Sequence, residues 1–127
     1  MIVYICGPIT GIPNLNREAF EAAQSKLLEA GHHPLNPHVI CRDIVAMHTG
    51  SPEELWTRCM KRDITELLKA EAIVLLDKWW MSRGCNVEIS LAKKLGIPIY
   101  ELEKFIERYG KETKLDFTGA GLPESKL

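Results

Sequence analysis

Two carboxylates lie where their helices call for hydrocarbon. On a wheel turning about 100° per residue, the segment 51–70, SPEELWTRCMKRDITELLKA, places Arg58, Lys61, Arg62, Glu66 and Lys69 on one face and Trp56, Ile64, Leu67, Leu68 and Ala70 on the rest. Asp63 falls inside the apolar sector, between Ala70 and Trp56. In the segment 86–95, NVEISLAKKL, the residues Val87, Ile89, Leu91, Ala92 and Leu95, with Cys85 just before, spread to either side of Glu88, while Asn86, Ser90, Lys93 and Lys94 take the opposite side. The segment 16–30 is a control: Phe20, Ala23, Leu27 and Ala30 form its stripe, and Glu18, Lys26 and Glu29 stay out of it. An unpaired buried carboxylate is costly, so Asp63 and Glu88 must each be paired, neutral or turned toward a ligand cavity. A single glutamate near a helix start serves as readily as a cap; two inward acids on consecutive helices flanking one strand point to acid–base or nucleophilic chemistry. Glu88, read as lying in the first turn of its helix, is expected to have its pKa lowered by the helix dipole, which suits a nucleophile better than a proton donor.

The neighbouring residues suggest what that chemistry acts on. Gly84 precedes Glu88 by four residues, and Gly7 and Gly11 lie in the first loop, where backbone N–H groups can approach an anion. A hydroxyl and a guanidinium, Ser82 and Arg83, beside a helix N-terminus suit a monophosphate, although GPITG lacks the Lys-Ser/Thr of a P-loop. Trp79 and Trp80 are available either to stack on a nucleobase or to pack over the sheet edge. His32, His33, His38 and Cys41 match no zinc spacing, and no metal is expected. Asp77 ends a strand as a phospho-acceptor does, but the first strand ends in Cys6-Gly7 without the acidic pair that would hold magnesium.

The elements that must position these residues follow from pattern. IVYIC (2–6), the region of HHPLNP (32–37), AIVLL (72–76) and IPIYEL (97–102) read as strands, and 16–30, 51–70, 86–95 and 103–110 read as helices, with 38–50 a loop or short helix. Asn16 is the expected N-cap of the first helix and Gly31 its stop; Ser51, Pro52, Glu53 and Glu54 open the second; Gly96 ends the third. Strands that are continuous apolar runs, alternating with helices, imply an α/β fold: a Rossmann-like or flavodoxin-like three-layer sandwich on a four- or five-stranded parallel sheet. Ligands then bind beyond the carboxyl ends of the strands, so loops 7–14, 36–50, 77–84 and 100–103 are the ones to watch. The 127 residues form one domain, 1–110, with a Gly/Pro-bearing tail, 111–127, that frays or serves an oligomer contact. Sixteen basic residues against 17 acidic ones give no polyanion-binding surface, so a nucleic-acid polymer is not an expected partner. The longest apolar run is far short of the roughly 20 residues of a membrane helix, and the N-terminus lacks the basic flank of a signal peptide. A cytoplasmic protein with reduced thiols, away from membranes, is expected.

Together VYICGPITG, the Asp63 of KRDITELLKAEAIVLL, and SRGCNVEISLAKKLGIPI resemble the nucleoside 2-deoxyribosyltransferase superfamily, which includes 2′-deoxynucleoside 5′-phosphate N-hydrolases. More narrowly, YICGPITGIPNLNREAF is similar to a bacterial and phage group of uncharacterised domains placed beside that superfamily. The likeness implies that Glu88 attacks the anomeric carbon, Asp63 handles the leaving base, Tyr4 positions the nucleophile, and Ser82, six residues before Glu88, binds a 5′-phosphate. It also implies a homo-oligomer; on this reading Gly7, Ile9, Thr10, Gly11, Ser82, Arg83 and Gly84 line the sugar-phosphate site, Trp79 is a candidate for contact with the substrate, and no cofactor is expected. Asn86 and Pro8 stand where members of the superfamily often carry other residues.

The expected activity is therefore that of a nucleotide N-glycosidase or N-deoxyribosyltransferase, cleaving the N-glycosidic bond of a nucleoside 5′-monophosphate through a carboxylate nucleophile. The alternative is a non-catalytic module that senses a nucleotide in the same pocket. A catalyst calls for Glu88 open to the pocket and within reach of Tyr4; a sensor tolerates Glu88 locked to Arg83 or Arg17.

Overall fold

The structure is a computed structural model; it describes residues 1–118, with side chains through Gly110. In chain order the elements are β1 (Ile2–Cys6), α1 (Arg17–Glu29), β2 (His33–Leu35), α2 (Pro37–Ile40), α3 (Arg42–Met47), α4 (Pro52–Leu67), β3 (Ala72–Leu75), α5 (Arg83–Leu95), β4 (Ile99–Glu101) and α6 (Leu102–Thr118), with 3-10 turns at Pro13–Asn16 and Trp79–Met81. The strands form a four-stranded, all-parallel sheet in the order β2-β1-β3-β4. The chain moves outward from β1 to β2 and then crosses to β3 on the other side of β1, so the strand order reverses between β1 and β3. This is the flavodoxin-like arrangement, and its crevice lies past Cys6 and Leu75.

Because side chains alternate along a strand, β1 sends Val3 and Ile5 to one layer and Tyr4 and Cys6 to the other. The first layer joins Val3, Ile5, Ala72, Val74 and Leu76 to Phe20, Ala23 and Leu27 of α1 and Phe105 of α6. The second joins Tyr4, Cys6, Leu35 and Ile73 to Leu67 and Ala70 at the end of α4 and to Cys85, Ile89 and Ala92 of α5. Helices therefore cover both faces, as the unbroken apolar strands require.

Local signals explain most boundaries. Ser51 and Glu54 form a complete capping box: the Glu54 amide donates to Ser51 Oγ at 3.1 Å, and the Ser51 amide donates to Glu54 Oε1 at 2.7 Å. A cap of this kind is worth about 1 kcal/mol. Gly96 closes α5 in the left-handed conformation at φ 75°, where a Cβ would be strained.

Other boundaries differ from the sequence reading. Asn16 occupies the N-cap position of α1, as expected, but its side chain makes no capping hydrogen bond. It adopts φ 59°, following Asn14 and Leu15 in the same left-handed region, and its Nδ2 donates to the Pro8 carbonyl at 2.9 Å. Its side chain thus ties the first loop together in place of capping the helix. Residues 38–50 contain two short helices, α2 and α3, and Asn36 caps the first by accepting from the His38 amide at 2.9 Å. Helix α5 begins at Arg83, three residues earlier than read. Helix α6 continues through Gly110 to Thr118, and the expected fraying of 119–127 falls outside the described residues. Among the described residues no helix is long and apolar enough to cross a membrane.

The helical wheels place Asp63 and Glu88 correctly among the buried residues but fail elsewhere. Leu68, Val87 and Leu95, assigned to apolar sectors, are exposed. On α5 the buried residues are Cys85, Glu88, Ile89 and Ala92, so the stripe is centred between Cys85 and Ala92, and Glu88 marks one border of it. A helix lying on a twisted sheet buries only the arc it presses against.

Candidate active site

Asp63 and Glu88 are the two buried acidic residues of the described chain, 7% and 4% exposed. Glu88 projects from α5 toward the carboxyl end of β1. There the Tyr4 hydroxyl donates to its Oε2 at 2.7 Å and the Cys6 thiol donates to its Oε1 at 3.3 Å. Both carboxylate oxygens are thus accepting, the arrangement that suits the ionised form. Asp63 projects from α4, and its Oδ1 accepts from the thiol of Cys41, at the junction of α2 and α3, at 3.1 Å.

Burial dominates the electrostatics. It pushes Glu88 up to about 7, with the negative charge of Asp63 adding to the rise and the hydrogen bonds from Tyr4 and Cys6 opposing it. It also pushes Asp63 up to about 6, against the pull of the Cys41 hydrogen bond and the charge of Arg62. Tyr4 is held well above the usual tyrosine value by its own burial and then by the charges of Glu88 and Asp63, so its hydroxyl stays a donor. The Cys6 thiol is likewise driven up, by a hydrogen bond with Cys85, by burial and by Glu88. The expectation of a lowered pKa at Glu88 is overturned. With Ser82 as the cap, Glu88 is the sixth residue of α5, past the first turn where the dipole acts, and desolvation prevails.

The residues assigned to a sugar-phosphate site divide into separate groups. Ser82 caps α5, its Oγ accepting from the Cys85 amide at 3.1 Å. Arg83 is on the outside, paired with Glu53 through both guanidinium nitrogens at 3.0 and 2.8 Å and stacked 3.6 Å above the Trp56 ring. This clasp joins the N-terminal turns of α4 and α5. Among the described residues Glu88 is therefore bound to neither Arg83 nor any other cation in a salt bridge, and it is closed over by protein in place of being open to a pocket. Gly84 lets α5 approach α4, since a Cβ there would sit 3.1 Å from Met60 Sδ. Gly7 lets the end of β1 pass Leu76, whose Cδ1 would be 2.8 Å from a Cβ. Gly11 lies at φ 83° with open space around it. Ile9 packs against the α1/α6 layer, on the other side of the sheet from Glu88, and Thr10 is exposed. Trp79 packs against the α4/α5 layer, with Trp80 edge-on to it and exposed, while Asn86 pins the turn by donating to the carbonyls of Trp80 and Ser82.

The fold thus brings Tyr4, Asp63 and Glu88 onto one face and adds three thiols, Cys6, Cys41 and Cys85, that the sequence reading did not assign to the site. Cys6 follows Tyr4 by two residues on a strand, and Cys85 precedes Glu88 by three on a helix, so periodicity places both on the right faces. Cys41 carries no such signal, because it comes from the irregular stretch between β2 and α4.

No curated protein matches the sequence. A family model does, over residues 1–101, a span that takes in all four strands together with Tyr4, Asp63 and Glu88. The chain belongs to the family described as a domain of unknown function, DUF4406.

Proposed function

We propose that this protein breaks the N-glycosidic bond of a nucleoside 5′-monophosphate, as a hydrolase or a base-exchanging transferase. The observation that carries the reading is the hydrogen bond from Tyr4 to Glu88, made on a buried face that also holds Asp63 at the carboxyl end of a parallel sheet. Cleavage of such a bond passes through a sugar cation, which a carboxylate beneath the ring can capture. Glu88 Oε forms a bond to the anomeric carbon as the carbon–nitrogen bond breaks. The bonding pair leaves with the base, and Asp63 in its protonated form supplies the proton that base takes up. Water, or a second base, then attacks the anomeric carbon and frees Glu88. Tyr4 fixes which oxygen attacks, since its hydroxyl occupies Oε2. The Ser82 oxygen accepts from the Cys85 amide but keeps its own proton to donate to a phosphate. Arg83 would exchange Glu53 for that phosphate, and because Glu88 is nearly sealed, the substrate must part the loops at 7–14 and 77–84 to reach it.

The second reading, a nucleotide-sensing module, draws on the same sealing of Glu88 and on the Arg83–Glu53 clasp. Incubation with a panel of ribo- and deoxynucleoside monophosphates, followed by chromatography for free base, separates the two. Release that falls by about 10³-fold or more in Glu88→Ala supports the enzyme. Equal release from both proteins removes Glu88 from its role, and tight binding with no release from any nucleotide favours the sensor.

A further inference from the structure

The two thiols beside Glu88 do more than fill space. Cys6 Sγ, Cys85 Sγ and a carboxylate oxygen of Glu88 all lie within 4.8 Å of one another, on residues that are 1%, 2% and 4% exposed. Cys85 and Glu88 are three residues apart and share a face of α5, while Cys6 ends β1 and meets them from the sheet. The Tyr4 hydroxyl holds Oε2, which leaves Oε1, the oxygen 3.3 Å from Cys6 Sγ, turned toward the sulfurs.

We propose that Cys6, Cys85 and Glu88 form a binding site for a thiophilic divalent cation of the zinc type. Zinc takes sulfur at about 2.3 Å and carboxylate oxygen at about 2.0–2.2 Å, so the donors of a tetrahedral site lie about 3.3–3.8 Å apart. Contraction by about an ångström at most, within the reach of side-chain rotation, brings this trio to that geometry. Two thiolates and one carboxylate select such a cation over magnesium or calcium, which prefer oxygen throughout. On binding, each thiol gives up its proton to solvent and each sulfur forms a bond to the metal; no electron changes hands. Tyr4 stays on Oε2 as the outer hydrogen bond that orients the ligating carboxylate, and the fourth position remains for water or a ligand atom. Cys41 and Asp63 form a separate pair and are not among the donors. The spacing of the cysteines along the chain hides this site, because its donors come from opposite ends of the domain.

A cation here occupies the carboxylate on which the proposed glycosidic chemistry depends, so it would shut that chemistry off. That consequence alone rests on the functional reading; the coordination does not. The test titrates the reduced 127-residue protein, stripped of metal with a chelator, with cadmium ion as spectroscopic probe and with zinc ion as competitor. One cadmium per chain, with a sulfur-to-metal charge-transfer band that zinc displaces, is expected. Cys6→Ser and Cys85→Ser should each weaken binding by at least about tenfold, and Glu88→Gln should weaken it while keeping the band. Cys59→Ser, a half-buried thiol outside the trio, should leave it unchanged. A wild-type protein with no band at stoichiometric cadmium, or a band that survives in both Cys6→Ser and Cys85→Ser, overturns the site. Should the serine variants fail to fold, cadmium NMR on the wild type decides: two-sulfur coordination supports the proposal, and one-sulfur or all-oxygen coordination overturns it. Where base release is measurable, zinc should abolish it and a chelator restore it; where none is found, the spectroscopic arms still judge the metal site.

Discussion

On the side of the sheet covered by α1 and α6, β1 and β3 turn Val3, Ile5, Ala72, Val74 and Leu76 toward Phe20, Ala23, Leu27 and Phe105, and the cluster is hydrocarbon and aromatic carbon throughout. On the side covered by α4 and α5, the same β1 turns Tyr4 and Cys6 toward Cys85, Glu88 and the neighbourhood of Asp63. The strands, the pleat and the burial are alike; only the chemistry differs. The first side gains stability from every buried atom. The second keeps two acids whose ionised forms are disfavoured by burial, a cost to stability that the proposed activity would account for.

That contrast can be broken, and the largest effect should come from the hydrocarbon side. Leu27→Ala, at a fully buried position, should lower unfolding free energy by about 2–5 kcal/mol in a denaturant titration, with base release per folded molecule unchanged. A cost well under 1 kcal/mol would mean this face is not the structural one. Next comes Asp63, whose pKa is raised from 3.8 to about 6 in the folded protein. Between those values the folded state keeps a proton that the unfolded chain has lost, so its contribution to stability is fully present below about 4 and is lost as pH rises toward 6. The span amounts to roughly 3 kcal/mol. Asp63→Asn keeps an acceptor for Cys41 but does not titrate, so it should flatten that part of the stability–pH curve and raise stability above pH 6 by an amount of this order. An unaltered pH slope would show that Asp63 is not desolvated. The smallest stability effect should follow Tyr4→Phe, about 1.5 kcal/mol for one hydrogen bond to a carboxylate that Cys6 continues to hold. The same variant should slow base release by about 10–100-fold, and a loss of stability without loss of rate would place Tyr4 with the packing residues.

Much of this arrangement is legible without coordinates. The inward turn of Asp63 and Glu88 follows from periodicity, because a helix repeats its faces every few residues whatever it packs against. The capping box at Ser51 and the stop at Gly96 follow from backbone groups that must find partners nearby. The start of α5 was misplaced because two polar residues, Ser82 and Asn86, both suit a helix entrance; Ser82 takes the cap and Asn86 binds back to the turn. With that start Glu88 falls past the first turn of α5, and its burial raises its pKa.

The sequence by itself determined the parallel α/β architecture and the inward turn of Asp63 and Glu88, since both depend on patterns a few residues long. Tertiary structure alone decided who meets whom: Tyr4 and Glu88, 84 residues apart, share a hydrogen bond, Arg83 is taken by Glu53, and three thiols gather around the acids. It also decided the charge states, because the energy of an ionised group depends on the water removed and the partners supplied by distant parts of the chain. Neither quantity is written in the local order of residues.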